Sequence, residues 1–176
     1  MQISKVLCVD MSDRPLCEMT KQEAHGSPAL HRAFSVFVHD GCGNMLIQRR
    51  AMCKYHSGGL WSNACCSHPL DGVAIEEQAS ERMQYELGVQ CEVRELFTYT
   101  YFHRFSPELA EYEYDHVLLG KMDGGILPSP QPDEVMEWKW ISFDALEKDV
   151  RSNPDAYSVW FIGTVGRVIE EVRRNG

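Results

Sequence analysis

No apolar run in this 176-residue chain approaches the ~18 residues that a membrane-crossing helix needs; stretches such as 157–163 stop far short. Basic residues are in the minority, 17 Lys and Arg against 26 Asp and Glu, for a formal net charge of −9 at pH 7. Binding along a nucleic-acid backbone wants a basic face, so the acidic balance argues against a nucleic-acid partner. A small phosphorylated substrate is not excluded, because it needs only a few local cations and a metal. Repeats and low-complexity tracts are lacking, and 44% hydrophobic with 10% aromatic residues excludes a disordered chain. Regular cysteine spacing is lacking too. The seven cysteines are odd in number and irregularly placed, which reads as free thiols and not as a disulfide framework. The opening MQISKVLCVDMSDR has no long apolar run and carries Asp10 and Asp13, so it does not read as a signal peptide. The expectation is one cytoplasmic domain over 1–176, with no membrane association and no evident protein partner.

The patterning that is present alternates between two periods. Residues 33–39 (AFSVFVH) are rich in β-formers, DGCGN follows as a turn, and MLIQRR supplies a second strand. Residues 60–66 are short and apolar enough for a buried strand. Over 74–87 the spacing becomes helical, with Ile75, Ala79, Met83 and Leu87 on one face and Gly88 as C-cap. Residues 91–105 and 111–122 read as two long strands bridged by a Ser-Pro turn, and 137–141 (EWKWI) as another strand. Ser142 caps a helix over 143–150, which Asn153-Pro154 breaks. A last helix has Ile162, Val165, Ile169 and Val172 on its apolar side. These elements predict an α+β domain, layered α/β/α, with a mixed sheet, a central helix and two C-terminal helices.

Four constellations can carry chemistry, and each also has a plain structural reading. His25 and His31 in HGSPALH are metal-ligand types, or solvent-exposed loop histidines. In WSNACCSHP, Cys66 and His68 share one face of an extended segment, although small thiols beside a Trp are also common core content. Alternation puts Glu111 and Glu113 of EYEYDH on one strand face, where a bound cation would relieve their repulsion; a solvated surface is the alternative. The YELG at 85–88 ends the central helix with Glu86. Arg49, Arg50, Lys54 and Arg82 lie near it in sequence and can clamp phosphate oxygens or simply solubilise.

In this order, from about 21 to 160, the motifs resemble type I isopentenyl diphosphate isomerase, a Nudix-like family. The segment WSNACCSHP followed by the Glu111–Glu113 pair is the specific part. The resemblance implies metal ligation by His25, His31, His68, Glu111 and Glu113, with Mn²⁺, Zn²⁺ or Mg²⁺ as the ion. It implies Cys66 and Glu113 as the catalytic acid–base pair. Glu86 and the backbone carbonyl of Cys66 would help bind a second Mg²⁺ on the substrate diphosphate. Lys21, Arg50, Lys54 and Arg82 would hold diphosphate oxygens, and Trp160 would close over the hydrocarbon end. The implied reaction interconverts isopentenyl and dimethylallyl diphosphate by an allylic proton shift. Departures from the family pattern are Ser67 for a glycine, Val73 for a glutamate, and Val159 for a proline. A tyrosine near the reacting carbon falls on His103, with Tyr101 two residues away on the same strand face. Hydrolysis of a nucleoside diphosphate derivative is the rival. It needs a helix carboxylate cluster, and the stretch ERMQYELGV at 81–89 keeps one acid there, with Arg82 and Tyr85 in place of others.

Overall fold

The computed structural model describes residues 5–175. Its centre is the strand β3 (His31–His39), which alternates as the sequence predicts: Phe34, Val36 and Val38 point to one side of the sheet, His31, Ser35 and Phe37 to the other. One edge of β3 pairs in parallel with β8 (Leu109–Lys121), in continuous register from His31↔Glu113 to His39↔Lys121. The other edge is shared by three antiparallel partners in turn. They are β1 (Lys5–Val9) at Cys8↔His31, β6 (Cys65–Ser67) at Phe34–Val36, and β4 (Asn44–Arg50) at Val38–His39. Because β6 takes the place of β4 beside the first half of β3, β4 diverges and an opening forms.

The remaining strands extend this frame. β2 (Pro15–Thr20) folds back on β1, and β5 (Trp61–Ser62) and β9 (Val135–Ser142) flank β4. β7 (Val93–Ser106) forms a long antiparallel hairpin with β8. One sheet face packs on α2 (Ile75–Leu87) through Ala79, Met83 and Leu87. The other packs on α3 (Phe143–Ser152) and α4 (Val159–Asn175) through Leu146, Phe161, Val165 and Ile169. A short helix, α1 (Lys21–Gly26), precedes β3 and is closed by a capping box between Thr20 and Glu23. Helix–sheet–helix is the α+β layering that the sequence predicts.

Several expectations need correction. His25 is not in a loop but buried on α1, and His31 is the first residue of β3. The strand expected over 60–66 is two, β5 and β6, because Asn63 turns its side chain to bond the backbone carbonyls of Val36 and Cys65. Ile162 is exposed; the buried stripe of α4 runs through Trp160, Phe161, Val165, Val168 and Ile169. Ser142 does cap α3, accepting a hydrogen bond from the Ala145 amide, and Gly88 ends α2 at φ 68°.

The two exposed glycines Gly88 and Gly166 should respond oppositely to alanine. A Cβ at Gly88 would adopt left-handed backbone and lie 2.8 Å from the Ser129 carbonyl, so Gly88→Ala should cost about 1–2 kcal/mol or more. Gly166 lies inside α4 with no atom near a built Cβ, so Gly166→Ala should stabilise by about 0.5–1 kcal/mol. Urea denaturation of the two variants checks both signs.

Candidate active site

The opening beside β3 leads into a pocket lined by Lys21, Arg50, Lys54, His56, Cys66, His68, Arg82, Glu86, Tyr101, Glu111, Glu113 and Trp160, with a volume of about 180 Å³. His25 and His31 lie directly behind its wall. The three rings of His25, His31 and His68 have centroids 5.0–6.0 Å apart. One donor atom from each lies within 4.8 Å of the others, and the same holds for His68, Glu111 and Glu113. The parallel register of β3 with β8 is what puts His31 opposite Glu113.

Electrostatics prepare this cluster for a cation. Both His25 nitrogens and His31 Nε2 are buried with no hydrogen-bond partner, an arrangement that a metal ion would satisfy. His31 Nδ1 contacts the Ala29 carbonyl at 2.8 Å, which fixes Nδ1–H and leaves Nε2 facing the cluster. Burial pushes His25 down to about 3 and His68 down to about 4, so both are neutral near pH 7, the form that ligates. For His31 burial acts the same way, but the contact with Glu113 outweighs it and raises the imidazole. Burial would raise the Glu113 carboxyl; His31 and His68 overcome it and hold Glu113 well below the usual carboxylate range. Glu111 is lowered as well: His56 and Lys21 outweigh burial and the repulsion of Glu113. Three imidazoles and two carboxylates on rigid elements form a donor set suited to a divalent ion.

A second, cationic half of the pocket comes from other elements. Arg82 Nε donates to Glu86 at 2.6 Å, and Gln48 Nε2 donates to the same carboxylate at 3.0 Å. Glu134 pairs with both Arg82 and Lys54. Arg50 stands 5.2 Å from the ring centroid of Trp160, and its side chain donates to the His56 carbonyl. Arg49 is not part of the pocket, since it turns to Gly59 and Glu137. Between the two halves lies Cys66, half-buried, with Sγ 3.2 Å from Asn63 Oδ1 and 3.5 Å from Ser35 Oγ. Burial pushes the Cys66 thiol up to about 12, so it holds its proton. Cys65, its neighbour, points the other way into the α2 core.

Residues 29–161 match the NUDIX domain family. Over 172 residues the chain is 43% identical to Isopentenyl-diphosphate Delta-isomerase 2 of Aromatoleum aromaticum, covering 98% of this chain and 90% of that one. It is 42% identical over 156 residues to Isopentenyl-diphosphate Delta-isomerase 2 of Photorhabdus laumondii, with 89% and 87% covered. The chain belongs to the isopentenyl-diphosphate Delta-isomerase family. DR0079 of Deinococcus radiodurans has a similar solved structure, with a TM-score of 0.73 at 19% identity, covering 93% of this chain and 98% of that one. At that identity the likeness shows the fold alone.

Of the residues named from the sequence of this isomerase-family chain, Lys21, Arg50, Lys54, Cys66, His68, Arg82, Glu86, Glu111, Glu113 and Trp160 line the pocket, His25 and His31 cluster with His68, Arg49 turns away, and the structure adds others. Asn63 binds both Cys66 and the indole N–H of Trp160, 3.1 Å away, so one amide fixes two pocket walls. Tyr101 is the phenol of the site: its O–H lies 2.7 Å from Glu113 and 2.8 Å from Glu111. His103, the position first aligned with a tyrosine, packs edge-on against Phe105 and does not line the pocket. The β7–β8 register sets Tyr101 opposite Glu113 and His103 opposite Glu111 on one face, and it is the Tyr101 hydroxyl that reaches both carboxylates. His56 reaches Glu111 at 2.7 Å, and Asp115 is buried with neither oxygen hydrogen-bonded, its carboxyl pushed well above the usual range by burial and Glu113.

Orphaned imidazoles should make the fold respond to metal. Mn²⁺ at a hundred times its Kd should stabilise the chelator-stripped protein by about 2.7 kcal/mol. His25→Ala should lose most of that gain, as read from the thermal midpoint with and without Mn²⁺.

Proposed function

We propose that this chain interconverts isopentenyl diphosphate and dimethylallyl diphosphate, with one divalent ion held by His25, His31, His68, Glu111 and Glu113. Mn²⁺ is the ion that the mixed N/O donor set favours, with Zn²⁺ and Mg²⁺ as alternatives. Glu86 and the Cys66 carbonyl would hold a Mg²⁺ that accompanies the diphosphate. The single observation that carries the reading is the placement of Cys66, Glu113 and Tyr101 around one small pocket whose far side is cationic.

The reaction adds a proton to the terminal alkene carbon and removes one from C2, through or near a tertiary carbocation. Cys66 and Glu113 supply the acid and the base from two different strands, β6 and β8. A thiol that keeps its proton and a carboxylate that has lost its own are the two protonation states such a pair needs. Tyr101 O–H holds the Glu113 carboxylate in place and bridges it to Glu111. Bound metal supplies positive charge that keeps both glutamates ionised and fixed. Lys21, Arg50, Lys54 and Arg82 bind the diphosphate oxygens and so orient the five-carbon chain. Trp160, nearly fully buried, offers its π face to the developing cation, worth ~2 kcal/mol or more when water is excluded. Exclusion also prevents capture of the cation as an alcohol.

Hydrolysis is disfavoured by α2. Of its carboxylates Glu76, Glu77, Glu81 and Glu86, only Glu86 lines the pocket. The substrate is accordingly a small allylic or homoallylic diphosphate.

Cys66→Ala should abolish isomerisation, whereas Cys65→Ala should keep most of it, because adjacent strand residues face opposite ways. The assay is turnover of isopentenyl diphosphate with Mn²⁺ and Mg²⁺ present. An active Cys66→Ala protein beside a folded but dead Cys65→Ala protein would reverse the assignment.

A further inference from the structure

His56 is the one imidazole at the site that the sequence motifs did not single out. It lies in the loop between β4 and β5, two residues after Lys54. Its side chain is only 6% exposed, and Nε2 is 2.7 Å from Oε1 of Glu111. At that distance a bare Nε2 would set its lone pair against those of a carboxylate, so Nε2 carries a proton and donates it. Nδ1 is then the acceptor, and Ser57 Oγ lies 3.2 Å from it. A donor atom of His56 lies within 4.8 Å of donor atoms of His25 and Glu111, so coordination is the competing role, which a count of coordinated imidazoles distinguishes. In His25 both ring nitrogens, and in His31 Nε2, are buried without a hydrogen-bond partner.

Packing fixes the ring in that pose. Phe105 stacks on it with centroids 4.6 Å apart and planes at 23°, and Trp160 meets it edge-on at 5.8 Å and 90°. The His56 carbonyl accepts from Arg50 Nη2 at 3.3 Å. The next residue, Ser57, is held at φ 53°, a left-handed conformation that a non-glycine residue adopts only when its surroundings impose it. Glu111 is thereby gripped at both oxygens, by His56 at Oε1 and by Tyr101 at Oε2.

We propose that His56 is a positioning residue for the metal centre, donating to Glu111 through Nε2–H and tying that ligand to the loop that carries Lys54. The inference rests on the metal-centre reading given above. Groups that hold a ligating carboxylate in this way set metal affinity without touching the ion. The tie also joins two halves of the site, because a single short loop carries a diphosphate-binding lysine and the anchor of a metal ligand.

The test is a Mn²⁺ titration of the chelator-stripped full-length protein, with free Mn²⁺ read by electron paramagnetic resonance. Wild type, His56→Leu and His56→Gln are compared, after circular dichroism has shown equal folding. His56→Leu should lower the affinity about 10–100-fold, while His56→Gln, whose amide can still donate to Glu111, should stay within about threefold of wild type. Spin-echo modulation should count three coordinated imidazoles in both wild type and His56→Gln. Unchanged affinity in His56→Leu would overturn the proposal, as would a folded His56→Gln no better than His56→Leu. Four imidazoles in wild type would make His56 a ligand and also overturn it. Wild type that binds no Mn²⁺ would remove the metal-centre reading and this one together; tight wild-type binding with an unaffected His56→Leu would remove this one alone.

Discussion

Two carboxylates two residues apart on one strand, both buried, set the terms for the rest of the site. Glu111 and Glu113 are 3% and 8% exposed, and each would be driven toward its neutral form by burial and by the other. The surroundings reverse that tendency. Lys21, His56, His31 and His68 approach from four separate elements or loops, and Tyr101 lies within hydrogen-bond distance of both carboxylates. Lys21 itself is lowered by its burial, with Glu111 and Glu113 pulling it back up. Such a concentration of buried charge and neutral imidazole is costly in an apo protein and natural around a divalent cation.

Geometry follows from one topological feature. β6 displaces β4 from the first half of β3 and so opens the sheet beside His31 and Ser35. The displaced edge brings Cys66 to the pocket and leaves Cys65 in the core against α2. Asn63, buried at the bend between β5 and β6, uses Nδ2 on two carbonyls and Oδ1 on Cys66 and Trp160. Ser158 completes the arrangement, since its amide bonds the Trp61 carbonyl and its hydroxyl meets Ser62, fixing the start of α4 and with it Trp160. A proline at position 159 is not needed for that anchoring.

Period-2 and period-3.6 patterns made most of the frame legible from the sequence. The strands around 33–39, 111–122 and 137–141 and the helix ending at Gly88 appear where alternation and capping predict them. The β1–β2 hairpin escaped because β2 is exposed over Pro15–Glu18 and half-buried at Met19 and Thr20, and so carries no alternation. α1 escaped because six residues are too short for a helical period, although Thr20 and Glu23 spell its capping box. Site residues with motif spacing could be named one by one, but those acting through tertiary contact could not. His56 meets its partner 55 residues away and Glu134 meets its two at 52 and 80, distances over which no local pattern extends. Tyr101 and His103 share a strand face, so only the side-chain contacts, with Tyr101 on both glutamates and His103 on Phe105, tell them apart.

Proton movement on carbon separates this account from every hydrolytic one, since both would use a cationic pocket and a diphosphate-bound metal. Isopentenyl diphosphate incubated with the protein in D₂O, with Mn²⁺ and Mg²⁺ added, should acquire deuterium in the methyl group formed from its alkene terminus, as read by NMR. Glu113→Gln should suppress that label, and Glu81→Gln, an exposed residue of α2, should leave it intact. Release of phosphate with every C–H bond unlabelled would contradict the account.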